Sequence, residues 1–147
     1  QGILVKELSI GKMNDIFELR IALETYVCEQ LAGRLRPEQE EELRTNLRIQ
    51  KQHADSGDER SFTKIDAEFH LLLCQFSGNR EIHQLMLNYQ AHLYRFALRV
   101  IQRVPNRMEH SYEDHLDIVN QLAAGSGSAS AERMKEHLLF GQSKLSS

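Results

Sequence analysis

Apolar residues recur three and four positions apart along almost the whole chain, the spacing that gathers them on one side of an α-helix, and Gly, Pro, Asn and Asp fall between the recurring stretches. A first helix is expected from Lys12 to Arg34, with Ile16, Leu19, Leu23, Tyr26, Val27 and Leu31 as its buried stripe. Pro37 suits the first turn of a second helix, Glu38 to Ala54, which carries Leu43, Leu47 and Ile49 among its apolar positions and ends at Asp55-Ser-Gly-Asp58. A third helix spans Phe62 to Phe76 and stops at Ser77-Gly78, where glycine can take the left-handed closing conformation and Asn79 can cap the next start. The fourth, Arg80 to Arg103, reads as one long amphipathic helix that Pro105-Asn106 breaks. A fifth runs on to Ala124, and the stretch from Gly125 to Ser130 separates it from a last helix, Ala131 to Lys144. Six helices with short connections predict an all-α antiparallel bundle around one core, with no internal repeat.

Composition narrows the class. With 147 residues, 41% of them hydrophobic and 27% charged, the chain suits one globular domain. Eighteen Lys and Arg against twenty-one Asp and Glu give a net charge of -3, without the basic footprint of a segment that binds nucleic acid by itself. Cys28 and Cys74 both lie in apolar helical contexts, which fits reduced core thiols and a cytoplasmic location better than a disulfide framework. No apolar run approaches the roughly 18 to 20 residues of a membrane span, so no membrane partner is expected.

Polar residues on the apolar stripes are the informative exceptions. Asp66 and His70 stand four residues apart, on one helix face that continues through Leu73 and Ser77 beside Phe62 and Phe69. His115 shares a face with Ile118, Val119 and Leu122, and His137 with Met134, Phe140 and Gly141. The remaining histidines, His53, His83, His92 and His110, read as solvated or locally bonded. One histidine on an apolar stripe is ordinarily a hydrogen-bonded core residue, and an Asp–His pair at this spacing arises readily by chance. Three inward histidines on three helices with one inward carboxylate are a different matter. Leaving them unpaired would cost several kcal/mol, whereas one divalent ion satisfies them together. Asp66, His70, His115 and His137 are therefore candidate metal ligands, a borderline-soft set suited to Zn, Ni, Mn or Fe(II) with one or more coordination positions open.

Five short segments in order, Asp15-Ile-Phe-Glu-Leu-Arg20 followed by Glu24, Asp66-Ala-Glu-Phe-His70, Ser77-Gly-Asn79, Asp114-His115-Leu-Asp-Ile118 and Met134-Lys-Glu-His-Leu138, give the chain a resemblance. It resembles the C-terminal effector-binding and dimerisation domain, abbreviated FCD, of FadR-type regulators in the GntR superfamily. The resemblance covers nearly the whole chain and implies an antiparallel bundle around a buried metal and ligand site formed by Asp66, His70, His115 and His137. It also implies a small carboxylic acid as effector, a symmetric homodimer, and a non-enzymatic role in transcription regulation. Arg20 matches the family's first-helix arginine, whose guanidinium fork can hold a carboxylate. Arg95 and Arg99 are further effector-binding candidates, and Asn79 is another, although helix capping is its plainer role. Tyr94 and Tyr112 are candidates to close the pocket, and Leu93, Phe96 and Val100 look left over for a surface buried against a second copy. The Gly125 to Ser130 stretch departs from relatives, which carry a shorter loop there.

Gln1-Gly-Ile-Leu-Val5 looks like the closing strand of a winged-helix wing. Residues 1–10 are accordingly expected to be the remnant of that wing and a linker, and residues 11–147 the effector-binding and dimerisation domain, with DNA bound only through an N-terminal winged-helix domain outside this sequence. The alternative is a metal-dependent hydrolase on a helical bundle, since an open metal position can activate water. Against it, the chain has no His-Glu-x-x-His segment, and Glu68 points away from Asp66 around the helix. A third reading is a structural helical dimer in which a metal serves stability.

Overall fold

Short polar side chains fix where most of the helices begin. In the computed structural model, which describes residues 9–146, the Ser9 hydroxyl accepts from Lys12 N and opens helix α1, Ile10–Leu31. Pro37 starts α2, Pro37–Ser56, which Gly57 ends in the left-handed conformation at φ 72°. Asp58 accepts from Ser61 N to open α3, Glu59–Phe76, and Asn79 accepts from the backbone N–H groups of Glu81 and Ile82 to open α4, Arg80–Asn88. Helices α5, Gln90–Arg103, and α6, Arg107–Ala123, follow, and Ser126 caps α7, Gly127–Leu145.

The described residues thus form seven helices and no strands, an all-α bundle as expected, with two corrections to the predicted elements. The expected fourth helix is two, because Tyr89, at φ -95° and ψ 3°, leaves the helical path and both caps α4 and precedes α5. A straight helix over residues 80–103 would be about 36 Å long at ~1.5 Å per residue. The break instead lets both pieces lie on α3 while α5 also reaches α7. The second correction is the Gly/Ser stretch. Because Ser126 caps at Ala129 N, residues from Gly127 onward form the first turn of α7.

Helices α2 with α3 and α6 with α7 form hairpins across short connections, α1 lies along α7 and also meets α3, and α2 packs on α6. The core gathers Phe17, Leu43, Phe69, Ile118, Leu122 and Met134, all nearly or fully buried. Each such side chain contributes about 1.5 to 3 kcal/mol relative to exposure. The α1 stripe is rotated from expectation: Tyr26 is 45% exposed and Leu19 and Leu23 are half-buried, while Met13, Phe17, Arg20 and Glu24 face inward. Leu93, Phe96 and Val100 are not left over for a partner, because α5 buries them within the chain's own fold. Cys28 and Cys74 are buried free thiols. The segment Gln1–Val5, expected as a wing strand, lies outside the described residues.

Candidate metal centre and the adjoining cavity

Asp66 and His70 on α3, His115 on α6 and His137 on α7 converge so that one ligand atom from each lies within 4.8 Å of all the others. Asp66 Oδ1 is 3.5 Å from His70 Nε2 and 3.4 Å from His115 Nε2, and the Nε2 atoms of His115 and His137 are 3.1 Å apart. All four residues are buried.

Each imidazole is held by its other nitrogen. His70 Nδ1 faces Glu24 Oε1 at 2.5 Å, His115 Nδ1 faces Gln50 Oε1 at 2.8 Å, and His137 Nδ1 faces Asp114 Oδ2 at 2.7 Å. A carboxylate or amide oxygen only accepts, so all three Nδ1 atoms carry the proton. The Arg107 Nη2 contact to His137 Nδ1, 3.3 Å, is a donor facing that same N–H, so the shorter Asp114 contact is the hydrogen bond and Arg107 pairs with Asp114 Oδ2 at 3.7 Å instead. With one proton per ring, three Nε2 lone pairs and a carboxylate oxygen meet, and none can donate to another. Asp66 Oδ1 is buried without a hydrogen-bond partner. Four buried acceptors around one point, each imidazole oriented from behind by an oxygen, fit a divalent transition metal.

The electrostatics match that division of roles at His115 and His137, whereas His70 gives up its Nε2 proton only when a cation displaces it. Burial disfavours a charged ring at His115, which, with His137 beside it, stays well below the ordinary histidine value; His137 is also lowered, by burial and by Arg107, against the pull of Asp114. Burial alone would raise Glu24, yet Arg20, with Nε 2.8 Å from Glu24 Oε2, and His70 outweigh it and hold the carboxyl at about 2. Burial likewise opposes charge on His70, but Glu24 and Asp66 raise its value to about 9. Without a metal, His70 is therefore the ring that takes a second proton, and that proton lies on the side of Asp66.

Beside the cluster opens a cavity of about 50 Å³, with Arg20, Asp66, Arg107, Ser111 and His137 on its polar side and Phe17 and Val100 on its apolar side. That is several times the roughly 10 to 15 Å³ needed to hold one water, so the space is large enough for a small ligand. Arg20 faces this space. Arg95 does not: it lines an open groove between α3 and α5 with Arg60, Lys64 and Tyr94. Arg99 lines a separate depression near Ser9 and Arg103, and the exposed Asn79 spends its side chain capping α4. Tyr112 packs half-buried against the core rather than on the cavity.

Sequence reasoning missed Arg107 and Gln50, and gave Glu24 and Asp114 no role of their own. A signal existed for Arg107, since Arg107, Ser111, His115 and Ile118 continue one helical stripe.

Known proteins share the architecture. The family model for the FCD domain matches residues 15–140. Among solved structures, Streptococcus agalactiae GntR superposes with a TM-score of 0.72 at 25% identity, over 88% of this chain and 57% of that one. E. coli McbR/YncC superposes with a TM-score of 0.82 at 15% identity, over 95% of this chain and 70% of that one, a likeness of fold. The chain spans little more than half the length of the streptococcal protein. A search of the curated proteins finds no match.

Proposed function

The chain belongs to the FCD domain family, and from that membership we propose that it is the effector-sensing and dimerisation domain of a GntR-type bacterial transcription regulator. In this reading a small carboxylic acid binds at the metal site and modulates DNA binding by a winged-helix domain outside these residues. The observation that carries it is the cavity of about 50 Å³, in which two buried guanidinium groups, Arg20 and Arg107, share the wall with the cluster residues Asp66 and His137. Two cations beside a ligand-sized space favour an anion, and the apolar wall opposite favours an organic one.

Asp66, His70, His115 and His137 would hold the ion, and Zn, Ni, Mn and Fe(II) all suit three imidazoles with one carboxylate. Bound there, the metal supplies a Lewis-acidic centre for an effector oxygen. The chain's own residues do the rest. Glu24 holds Arg20 by Nε, so the terminal nitrogens are the atoms free to meet a carboxylate. The effector then acts by favouring one arrangement of two DNA-binding heads over another, in proportion to its unequal affinity for them.

The hydrolase alternative draws no support from the family or from these neighbours, and Glu68, its nearest sequence candidate for a base, is exposed on the α3–α5 groove. The test is a thermal-shift screen of small carboxylates on metal-loaded and metal-free protein, with light scattering on the same samples. Stabilisation by particular acids in the loaded protein only, on a dimer, is the expected result. No shift with any acid would leave a structural metal protein, and turnover of an ester or amide would restore the enzyme.

A further inference from the structure

Behind His115 a line of buried amides leads back to the main chain of α3. Asn46 Nδ2 donates to Ile65 O at 3.1 Å, Gln50 Nε2 donates to Asn46 Oδ1 at 2.7 Å, and His115 Nδ1 meets Gln50 Oε1 at 2.8 Å. Asn46 is 4% exposed and Gln50 is wholly buried, so solvent does not compete for these groups.

The direction of every bond in this line is forced from its far end. A peptide carbonyl has no proton to give, so the Asn46 atom facing Ile65 must be the NH₂ group. Asn46 Oδ1 then faces Gln50, which must answer with its own NH₂, and this turns Gln50 Oε1 toward the imidazole. An oxygen that only accepts requires N–H on His115 Nδ1. With that proton on Nδ1, the ring's other nitrogen, Nε2, is the one turned toward Asp66 Oδ1 at 3.4 Å and His137 Nε2 at 3.1 Å, where its lone pair can meet a cation.

The alternative tautomer would have consequences. A proton on His115 Nε2, 3.4 Å from Asp66 Oδ1, could be given to that oxygen, and both atoms would be lost to a cation.

We propose that Asn46 and Gln50 are positioning residues of the metal site: they transmit the polarity of the Ile65 carbonyl, one residue before the ligand Asp66, to the His115 ring and hold its Nε2 open for a cation even before one arrives. The role rests on the metal-site reading of the cluster, while the tautomer is a property of the metal-free protein.

Long-range ¹⁵N–¹H spectra of the histidine rings in metal-free protein read the tautomer directly, and competition with a chromophoric chelator reads Zn²⁺ affinity. Wild-type protein should show His115 protonated at Nδ1. Gln50→Leu should populate the Nε2–H form and weaken Zn²⁺ binding by roughly 10- to 100-fold, the usual effect of losing a ligand's outer partner. Gln50→Glu should restore both readouts, because a carboxyl oxygen, like the amide oxygen it replaces, accepts from His115 Nδ1. A residue that merely filled space would show the reverse order, with Leu tolerated and Glu harmful.

Nε2–H on His115 in wild-type protein overturns the relay whether or not any variant folds. An unchanged tautomer in Gln50→Leu does the same, and a changed tautomer with unchanged Zn²⁺ affinity removes its bearing on the metal. Wild-type protein that takes no Zn²⁺ removes the metal-site reading itself, a failure separable from that of the tautomer measured in the same sample.

Discussion

Glu24 joins the candidate effector residue to the candidate metal ligand, since one oxygen holds Arg20 and the other holds His70. Arg20→Ala therefore removes two things. In the proposed reading the effector loses a charged partner, which should weaken binding by about 2 to 4 kcal/mol, and Glu24 is left as a buried charge with less compensation, which should cost about 3 to 5 kcal/mol of stability. Arg20→Lys should recover most of the stability and only part of the affinity, because an ammonium restores the charge without the second prong. Calorimetric titration alongside thermal unfolding separates the two losses, and unchanged affinity in Arg20→Ala would remove Arg20 from the site. The same pair sets a pH dependence in the metal-free protein. His70 is raised to about 9 from 6.5, so the stability it contributes is complete below pH 6.5 and is lost as pH climbs through 9. Glu24 is lowered to about 2 from 4.5, so its contribution is present above pH 4.5 and is lost as pH falls through 2. Metal-free protein should therefore show a thermal midpoint that declines between pH 6.5 and 9, and His70→Asn should flatten that decline. Equal slopes in the two proteins would mean that another group governs the alkaline limb.

At the scale of helices, the caps carry consequences that composition hides. Ser126 accepts from Ala129 N and converts a Gly/Ser run that reads as a breaker into the first turn of α7. Gly127 there lies against α1, where an added Cβ would meet Glu29 Cα at 3.6 Å, an ordinary van der Waals distance, so alanine would also fit. Ser126→Ala should cost about 0.5 to 2 kcal/mol in urea unfolding, and no loss would mean that the α1 contact alone starts the helix. Helix existence, most breaks and the four cluster residues were legible because they follow local rules: a period near 3.6, cap residues, and polar residues intruding on apolar stripes. The break at Tyr89 was not, because Asn88-Tyr89-Gln90 contains neither Gly nor Pro and the stripe through Ile82, Met86, Leu93 and Phe96 keeps helical phase across it. Packing on α3 decides that break. Asn46 and Gln50 also escaped notice, although they occupy the inward stripe with Leu43, Leu47 and Ala54, because amides on a polar helix look solvated until the partner that claims them is known. Arg95 and Arg99 failed as cavity residues for a related reason. Helical phase places them on α5, but which side of α5 meets the cluster is fixed by its contacts with α3 and α7.

Across the whole molecule, the cluster is a tie between segments that are distant in sequence. Its candidate ligands come from α3, α6 and α7, and the oxygens behind them from α1, α2 and α6, so five of the seven helices bear on one point. An ion bound there stabilises the folded state by mass action, by about 4 kcal/mol when its free concentration is a thousandfold above its Kd. At roughly 2 to 8 °C per kcal/mol for domains of this general size, exhaustive chelation should lower the thermal midpoint by on the order of 10 to 30 °C, and Zn²⁺ or Ni²⁺ should restore it. Helices tied together at one point should lose stability together, so hydrogen exchange should accelerate in α3, α6 and α7 in step, rather than only next to each ligand. His137→Ala should reproduce the metal-free midpoint and no longer respond to added ion. That variant also separates the tie from simple packing. Its side chain lies against Arg107 and Asp114 at the cavity rim, so a loss caused by packing would persist unchanged in chelated protein, whereas a loss caused by the missing ion should vanish once wild type and variant are both stripped of metal. A midpoint unmoved by chelation, in protein that carries no metal by mass spectrometry, would mean that the four inward residues are held by hydrogen bonds and His70's second proton alone.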